Sequence, residues 1–183
     1  MNRFAKTFLA IAIGATALSS TLAINAYANE KTVMVGGAPM YPSKNIVENA
    51  VHSKDHTTLV AAVKAAGLVP TLESKGPFTV FAPTNVAFGK LPAGTVETLV
   101  KPENKATLTN ILTYHVVPGR LEASDLTDGK ILKTVEGEQI TVKNVDGKIS
   151  LTDEKGGTSH VTIADVNQSN GVVHVVDTVL MPK

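Results

Sequence analysis

The side chains in this 183-residue sequence that are best suited to chemistry are its five histidines, because cysteine is absent. His52 and His56 are four residues apart, which is the spacing at which two imidazoles on one helix can share a metal ion. The residues between them, 53–55 (SKD), indicate a break between two helices. We therefore expect both histidines to lie in a solvated loop, and we predict no metal site.

The other three histidines lie in segments with a clear periodicity. His115 follows Leu108 by seven residues on an apolar helical stripe, so its ring is predicted to point toward the core, whereas Tyr114 points elsewhere. His174 lies in the most apolar segment of the chain, where we expect it to be buried and hydrogen-bonded. His160 alternates with apolar neighbours and is predicted to face solvent.

Sequence motifs typical of catalysis are absent. The chain contains no Gly-x-Ser-x-Gly elbow, no phosphate-binding Gly-x-x-x-x-Gly-Lys loop and no His-Glu-x-x-His zinc motif. Without cysteine there is neither a thiolate nucleophile nor a cysteine-ligated metal. Met34 and Met40 offer thioether ligands for copper, but they lie in a segment without periodicity. We predict that the protein is not an enzyme and that it uses no cofactor.

The first 28 residues have the order of features of a secretory signal peptide. Arg3 and Lys6 give a positive start, and residues 8–18 (FLAIAIGATAL) form an apolar run. That run is shorter than the roughly 20 residues that span a bilayer. The small-x-small pattern Ala-Tyr-Ala predicts cleavage between Ala28 and Asn29, and hence a periplasmic or secreted bacterial protein.

Removal of this segment leaves 155 residues with 15 basic and 16 acidic side chains, a net charge of −1. Such a balance does not provide the clustered Lys and Arg residues that nucleic acids and anionic membranes require. No later segment has the length of a transmembrane helix. We predict one monomeric domain that is held by its core alone, without nucleic-acid binding or membrane insertion.

The mature chain is predicted to be helical in its first half and rich in strands in its second. Residues 29–43 have no period and are predicted to be a flexible leader to one domain over residues 44–183. Asn45 and Glu48 have the spacing of a capping box, Asp55 is predicted to cap the next helix, and Gly67 to end it. Strands are predicted over residues 78–82, 139–145, 148–152, 160–166 and 172–180. Helices followed by antiparallel strands indicate the α+β class.

Three blocks of sequence together resemble fasciclin domains. The first block, residues 76–85 (GPFTVFAPTN), is similar to the first signature of that family, and Ala87-Phe88 and Leu91-Pro92 continue the likeness. The central block, residues 112–119 (LTYHVVPG), resembles the family's tyrosine–histidine segment. The closing block, residues 170–182 (NGVVHVVDTVLMP), resembles its last signature. The likeness runs in order from about residue 43 to the C-terminus.

This resemblance implies a wedge of two β-sheets, with several helices contributed mainly by the N-terminal half. It also implies a non-enzymatic role in cell adhesion or in extracellular matrix association. In animal members the tyrosine–histidine segment is linked to integrin recognition, which makes Tyr114 and His115 the candidate binding residues. The family's Asp-Ile motif is not matched, because Asp177 is followed by Thr178, and Val86 replaces the usual acidic or small residue. Both departures argue against integrin binding.

Two functions remain open at this point. The first is an exported adhesion or envelope-association module that contacts a surface protein or a glycan. The second is a periplasmic protein that binds a small ligand or a metal, either between the sheets or at the histidines, since an apolar pocket needs no sequence motif.

Overall fold

In the part of the chain that the structure describes, six α-helices lie between residues 46 and 114, and the predicted helices after Asn45 and up to Gly67 are among them. The computed structural model describes residues 31–183, so the predicted signal peptide and its cleavage site lie outside the described residues. Asn45 and Glu48 form the predicted capping box, and Gly67, at φ +73°, ends the second helix. The helices are α1 (Ile46–Ala50), α2 (Thr57–Ala66), α3 (Val69–Glu73), α4 (Asn85–Gly89), α5 (Thr95–Leu99) and α6 (Lys105–Tyr114).

Most strands come from the second half of the chain. The strands are β1 (Val33–Val35), β2 (Ala38–Met40), β3 (Phe78–Pro83), β4 (Val116–Pro118), β5 (Ile131–Lys133), β6 (Gln139–Val145), β7 (Lys148–Thr152), β8 (Thr158–Gln168) and β9 (Gly171–Val176). Seven of them form one sheet in the order β4-β3-β9-β8-β7-β6-β5. Only β3 and β9 are parallel within it, and the other neighbours are antiparallel.

The long strand β8 bends this sheet toward closure. Its first residues pair with β7 and its later residues pair with β9, with register shifts on either side of Ile163. Such irregularities bend a strand and increase its twist. The Val135 N–H donates to the Val116 carbonyl over 2.7 Å, which connects the segment after β5 to β4 at the opposite edge. The α+β prediction is confirmed, and the two sheets implied by the resemblance are continuous through β8.

A hairpin occupies part of the predicted flexible leader. Gly36 and Gly37, at φ +58° and +77°, form the two-residue turn between β1 and β2, which is the glycine-favouring turn of tight hairpins. Val35 and Met40 are buried in a small cluster with Val166 and other residues of β8 and β9. Strands of three residues are too short to show a period, so the sequence does not reveal this element.

The start of α2 also differs from the prediction. Asp55 lies in a 3₁₀ turn and makes no cap. The Thr58 N–H instead donates to Asn85 Oδ1 over 3.0 Å, and Asn85 Nδ2 donates to the Lys54 carbonyl. Asn85 belongs to the first block, so a residue distant in sequence satisfies the helix terminus.

Strand β3 separates the two large parts of the core. Val80 and Ala82 pack in a cluster with α2, α4 and α6, whereas Phe81 packs in a second cluster inside the bent sheet. A strand that is buried on both faces is expected at the centre of a sheet. The first block therefore supplies the layer on which both halves of the core are built.

Candidate binding site

Tyr114, the first candidate binding residue, is completely buried at the end of α6. Its ring packs in the cluster inside the bent sheet, its hydroxyl donates to the Gln139 carbonyl over 2.7 Å, and the Glu154 N–H donates to that hydroxyl over 3.3 Å. Burial, reinforced by the nearby Asp153 and Glu154 carboxylates, raises the pKa of Tyr114 to about 12. The two hydrogen bonds of the Tyr114 hydroxyl connect α6 to β6 and to the turn after β7.

His115, the second candidate, is 2 % exposed and joins the central block to the closing block. The Leu180 N–H donates to His115 Nε2 over 3.0 Å, and His115 Nδ1 lies 2.8 Å from the Ile111 carbonyl. Because a backbone N–H can only donate, Nε2 must be the acceptor, and the proton must be on Nδ1. Burial lowers the pKa of His115 to about 4, so the ring is neutral at neutral pH.

His174 on β9 is fully buried, as predicted, and carries its proton on the other nitrogen. The Asp165 N–H donates to its Nδ1 over 3.3 Å, so Nε2 donates to the Leu121 carbonyl over 2.7 Å. The ring stacks on Phe81 with 5.7 Å between centroids. Burial lowers the pKa of His174 as well. All nitrogens of His115 and His174 therefore have partners.

The turn that opens the closing block connects the sheet to the helices. Asn170 Oδ1 accepts from the Ile46 N–H at the start of α1, and Asn170 Nδ2 donates to the Leu72 carbonyl in α3 over 2.6 Å. At Gly171, an added Cβ would lie 2.0 Å from the Phe78 carbonyl oxygen, so β9 approaches β3 too closely for any side chain. The Asn-Gly pair has a packing role here in addition to its turn.

The two histidines that are four residues apart, His52 and His56, differ in their surroundings. His52 is exposed and contacts the Glu48 carbonyl, whereas His56 is buried, contrary to the predicted solvated loop. Met34 is 58 % exposed and Met40 is buried, on different strands of the hairpin. Within residues 31–183, no group of three His, Asp or Glu side chains is arranged to hold a metal ion.

His56 instead lines an apolar cavity of about 80 Å³ between the helices and the sheet. Its Nδ1 lies 2.8 Å from Ser53 Oγ, while its Nε2 has no hydrogen-bond partner among the described residues. The Ala82 carbonyl is close enough to offset part of the effect of burial, which lowers the pKa of His56. The rest of the wall comes from both hairpin strands, from α1, α2, α3 and α6, and from β3, β4, β8 and β9.

The sequence profile that describes the fasciclin domain matches residues 54–182. This range contains all three blocks, and it ends one residue before the C-terminus of the chain. The chain belongs to the fasciclin domain family.

Relatives of this fasciclin domain include proteins of bacteria. Protein sll1483 of Synechocystis sp. is 50 % identical over 153 residues, which cover 84 % of this chain and 82 % of the relative. The immunogenic protein MPB70 of Mycobacterium bovis is 38 % identical over 138 residues, covering 73 % of this chain and 66 % of the relative.

A solved structure shares the fold. The FAS1 domain pair of the insect cell adhesion molecule fasciclin I superimposes with a TM-score of 0.68 at 19 % identity, covering 77 % of this chain and 52 % of that chain. At this identity the likeness concerns the fold alone. Within the part of the chain that the structure describes, none of the helices has both the length and the apolar content to cross a membrane.

The blocks that mark a fasciclin domain thus lie in its interior. Sequence reasoning correctly placed His115 and His174 against the core, but it assigned Tyr114 a different direction, and that ring is buried on the other side of the helix end. The cavity and the unpaired nitrogen of His56 were missed. They depend on contacts between the helices and a distant strand, which no local pattern records.

Proposed function

We propose that this protein is an exported, non-enzymatic binding module for cell adhesion or envelope and matrix association, acting through contacts with a surface protein or a glycan. Membership of the fasciclin domain family carries this proposal.

The burial of Tyr114 and His115 bears on how such a module would work. Both side chains are fully or almost fully buried, and both use their polar atoms on backbone groups of the same chain. We therefore propose that the tyrosine–histidine pair supports binding by holding the fold, while partners contact the exposed surface. Substituting either residue would then weaken binding in proportion to the loss of folded protein.

Export is the first part of the proposal to test. Fractionation of the source cells, followed by N-terminal sequencing, is expected to find a chain that begins at Asn29 in the periplasm or the medium. A matched strain producing residues 29–183 without the apolar segment is expected to retain the protein in the cytoplasm. Uncleaved protein in the cytoplasm of the wild-type strain would show that the export assignment is wrong.

Binding is tested in the same strains. In-cell crosslinking is expected to yield a saturable adduct with an envelope or matrix component, and a deletion strain is expected to lose surface attachment in an adhesion or biofilm assay. Complementation with the wild-type chain should restore attachment, and complementation with the chain that lacks the signal should not. If crosslinking yields no adduct and deletion leaves attachment unchanged, the adhesion role is refuted.

A further inference from the structure

The cavity beside His56, which we call the passage, is small and borders many elements of the fold. Its volume of about 80 Å³ is roughly half that of an engineered apolar cavity that binds benzene. Its walls nevertheless come from four helices and six strands, far more of the fold than a compact void of this volume would touch. A small volume bordered by so many elements suits a chain of methylene groups better than a ring.

This passage leads from the surface into the core. Lys64 and Thr71 line it and are exposed, and Val47, Val60 and Leu68 are half-buried between them. Other lining residues, Phe81 and Val175 among them, are buried. A ligand can thus enter between α1, α2 and α3 and place one end against the sheet.

The wall carries few polar atoms, and one of them lacks a partner. Asn49 and Gln168 hydrogen-bond to each other. His115 is satisfied on both nitrogens. His56 is 3 % exposed and its Nδ1 is used by Ser53. The Ala82 carbonyl lies near the ring, but among the described residues no group makes a hydrogen bond of good geometry with Nε2. A buried polar atom without a partner costs about 1–3 kcal/mol, and a ligand group that paired with it would recover that cost.

The Ser53 hydroxyl can either donate to His56 Nδ1 or accept from it. In the first case Nε2 carries a proton and requires an acceptor, and in the second it requires a donor. A hydroxyl group satisfies both cases, because it donates one hydrogen bond and accepts two. A carboxylate satisfies only one, and it would have to be buried as an ion beside a neutral imidazole in an apolar passage.

We propose that this cavity binds a single unbranched alkyl chain that ends in a hydroxyl group, with the hydroxyl on His56 Nε2 and the chain between α1, α2 and α3. This site is independent of the proposed adhesion surface. The hairpin and α1, which precede residues 54–182 that match the family, form part of its wall. The site is therefore built by this chain's own N-terminal elements as well as by the common fold.

Straight-chain alcohols are the probes that test the proposal on the purified protein. Titration of n-butanol to n-octanol, followed by calorimetry and by NMR of the cavity methyl groups, should show saturable binding. Each added methylene is expected to raise the affinity about fourfold until the passage is filled, from about 0.8 kcal/mol per buried CH₂. The NMR shift of His56 Nε2 should change with n-hexanol and not with n-hexane.

Two variants and one control locate the site. His56→Leu is expected to weaken n-hexanol binding about tenfold and to leave n-hexane binding unweakened, because only the alcohol loses a partner. Ala50→Leu keeps His56 but places a larger side chain in the wall at the end of α1, and it should weaken both probes. His52→Leu, an exposed histidine that does not line the cavity, should bind as the wild type does.

Three results would overturn the proposal. One is the absence of saturable alcohol binding to the wild-type protein. Another is n-hexanol binding that survives both His56→Leu and Ala50→Leu, which would place the alcohol elsewhere. The third is stronger binding of hexanoate than of n-hexanol that disappears in Lys64→Gln, which would assign a charged amphiphile to the rim. The NMR shift of His56 in the wild-type protein decides the matter even if a variant fails to fold.

Discussion

Two regions of the molecule bury histidines in different environments. The signature region consists of the first, central and closing blocks, and the helical face consists of the hairpin and α1–α3. His115 and His174 in the signature region have partners for every ring nitrogen. His56 on the helical face is buried almost as deeply, and among the described residues Ser53 is its hydrogen-bond partner, with the Ala82 carbonyl near the ring. A histidine with both ring nitrogens hydrogen-bonded holds the neighbouring backbone groups in place. A histidine with one unpaired ring nitrogen can still form a hydrogen bond with a further group.

The packing around these histidines differs in the same way. Tyr114, Phe81 and Leu180 are completely buried in the cluster inside the bent sheet. On the helical face the cavity opens between half-buried valines and leucines. The comparison indicates that the blocks resembling the family signatures form the closely packed part of the domain, while the helical face contains the cavity.

Removing His115 should have the largest effect on stability. His115→Leu leaves the Leu180 N–H and the Ile111 carbonyl without a partner in the core, at about 1–3 kcal/mol for each group. The expected loss in the free energy of unfolding is about 2–5 kcal/mol, measured by urea denaturation. His52→Leu, at an exposed position, is the control and should change the value by less than about 0.5 kcal/mol. A similar loss in both variants would remove the distinction between the two regions.

The second largest effect on stability is expected from acidification, through His115 in the signature region. The pKa of His115 is about 4 in the folded chain and 6.5 when the ring is free, so between these values the unfolded chain binds more protons. Stability is therefore full above pH 6.5 and falls as the pH decreases toward 4, by about 3 kcal/mol for this residue. The depressed pKa values of His174 and His56 act in the same direction.

Denaturation curves at several pH values measure this slope. A double variant of the exposed histidines, His52→Gln with His160→Gln, should retain it, because neither side chain is buried. A slope that disappears in that variant would assign the pH dependence to the surface instead of the core.

Removing the Tyr114 hydroxyl should cost less than removing His115. Tyr114→Phe keeps the ring in the cluster but leaves the Gln139 carbonyl without its side-chain donor and the Glu154 N–H without its acceptor. The expected loss is about 1–3 kcal/mol in urea denaturation. Tyr114→Leu should cost more, because it also removes aromatic packing. Equal losses in the two variants would mean that the aromatic packing contributes nothing, and no loss in Tyr114→Phe would mean that the hydroxyl contributes nothing.

Local patterns predicted the elements that depend on near neighbours. The capping box of α1, the end of α2 at Gly67, and the strands over residues 139–145 and 148–152 are each determined within a few residues. Periodicity alone predicted that the side chains of His115 and His174 are buried. The family resemblance implied two β-sheets, which the structure joins into one through β8.

Features built by distant contacts could not be predicted in this way. Asn85 caps α2 from 27 residues away, although Asp55 is the local candidate. The short strands β1, β4 and β5 take their form from pairing across the chain instead of from a repeat. His56 appeared solvated because the sequence around it is polar, yet the fold places it under the helices.

The smallest effect on the free energy of unfolding is expected for substitutions on the helical face. The sign of this effect distinguishes the helical face from the signature region. The double variant Ser53→Ala with His56→Leu removes both members of the one hydrogen bond that His56 makes, together with its unpaired nitrogen. Replacing both partners of a buried hydrogen bond by apolar groups is nearly neutral, and here an unsatisfied atom disappears as well. We expect the free energy of unfolding to change by about −0.5 to +1 kcal/mol, where a positive value is stabilising, in urea denaturation at neutral pH.

The single variant Ser53→Ala is the matched control for this pair. It leaves the buried ring with two unpaired nitrogens and should destabilise the domain by about 1–2 kcal/mol. If the double variant is destabilised by several kcal/mol, as expected for His115→Leu, then His56 is a structural histidine like the other two. If it is neutral, the histidine is dispensable to the fold, which supports a role for it in binding.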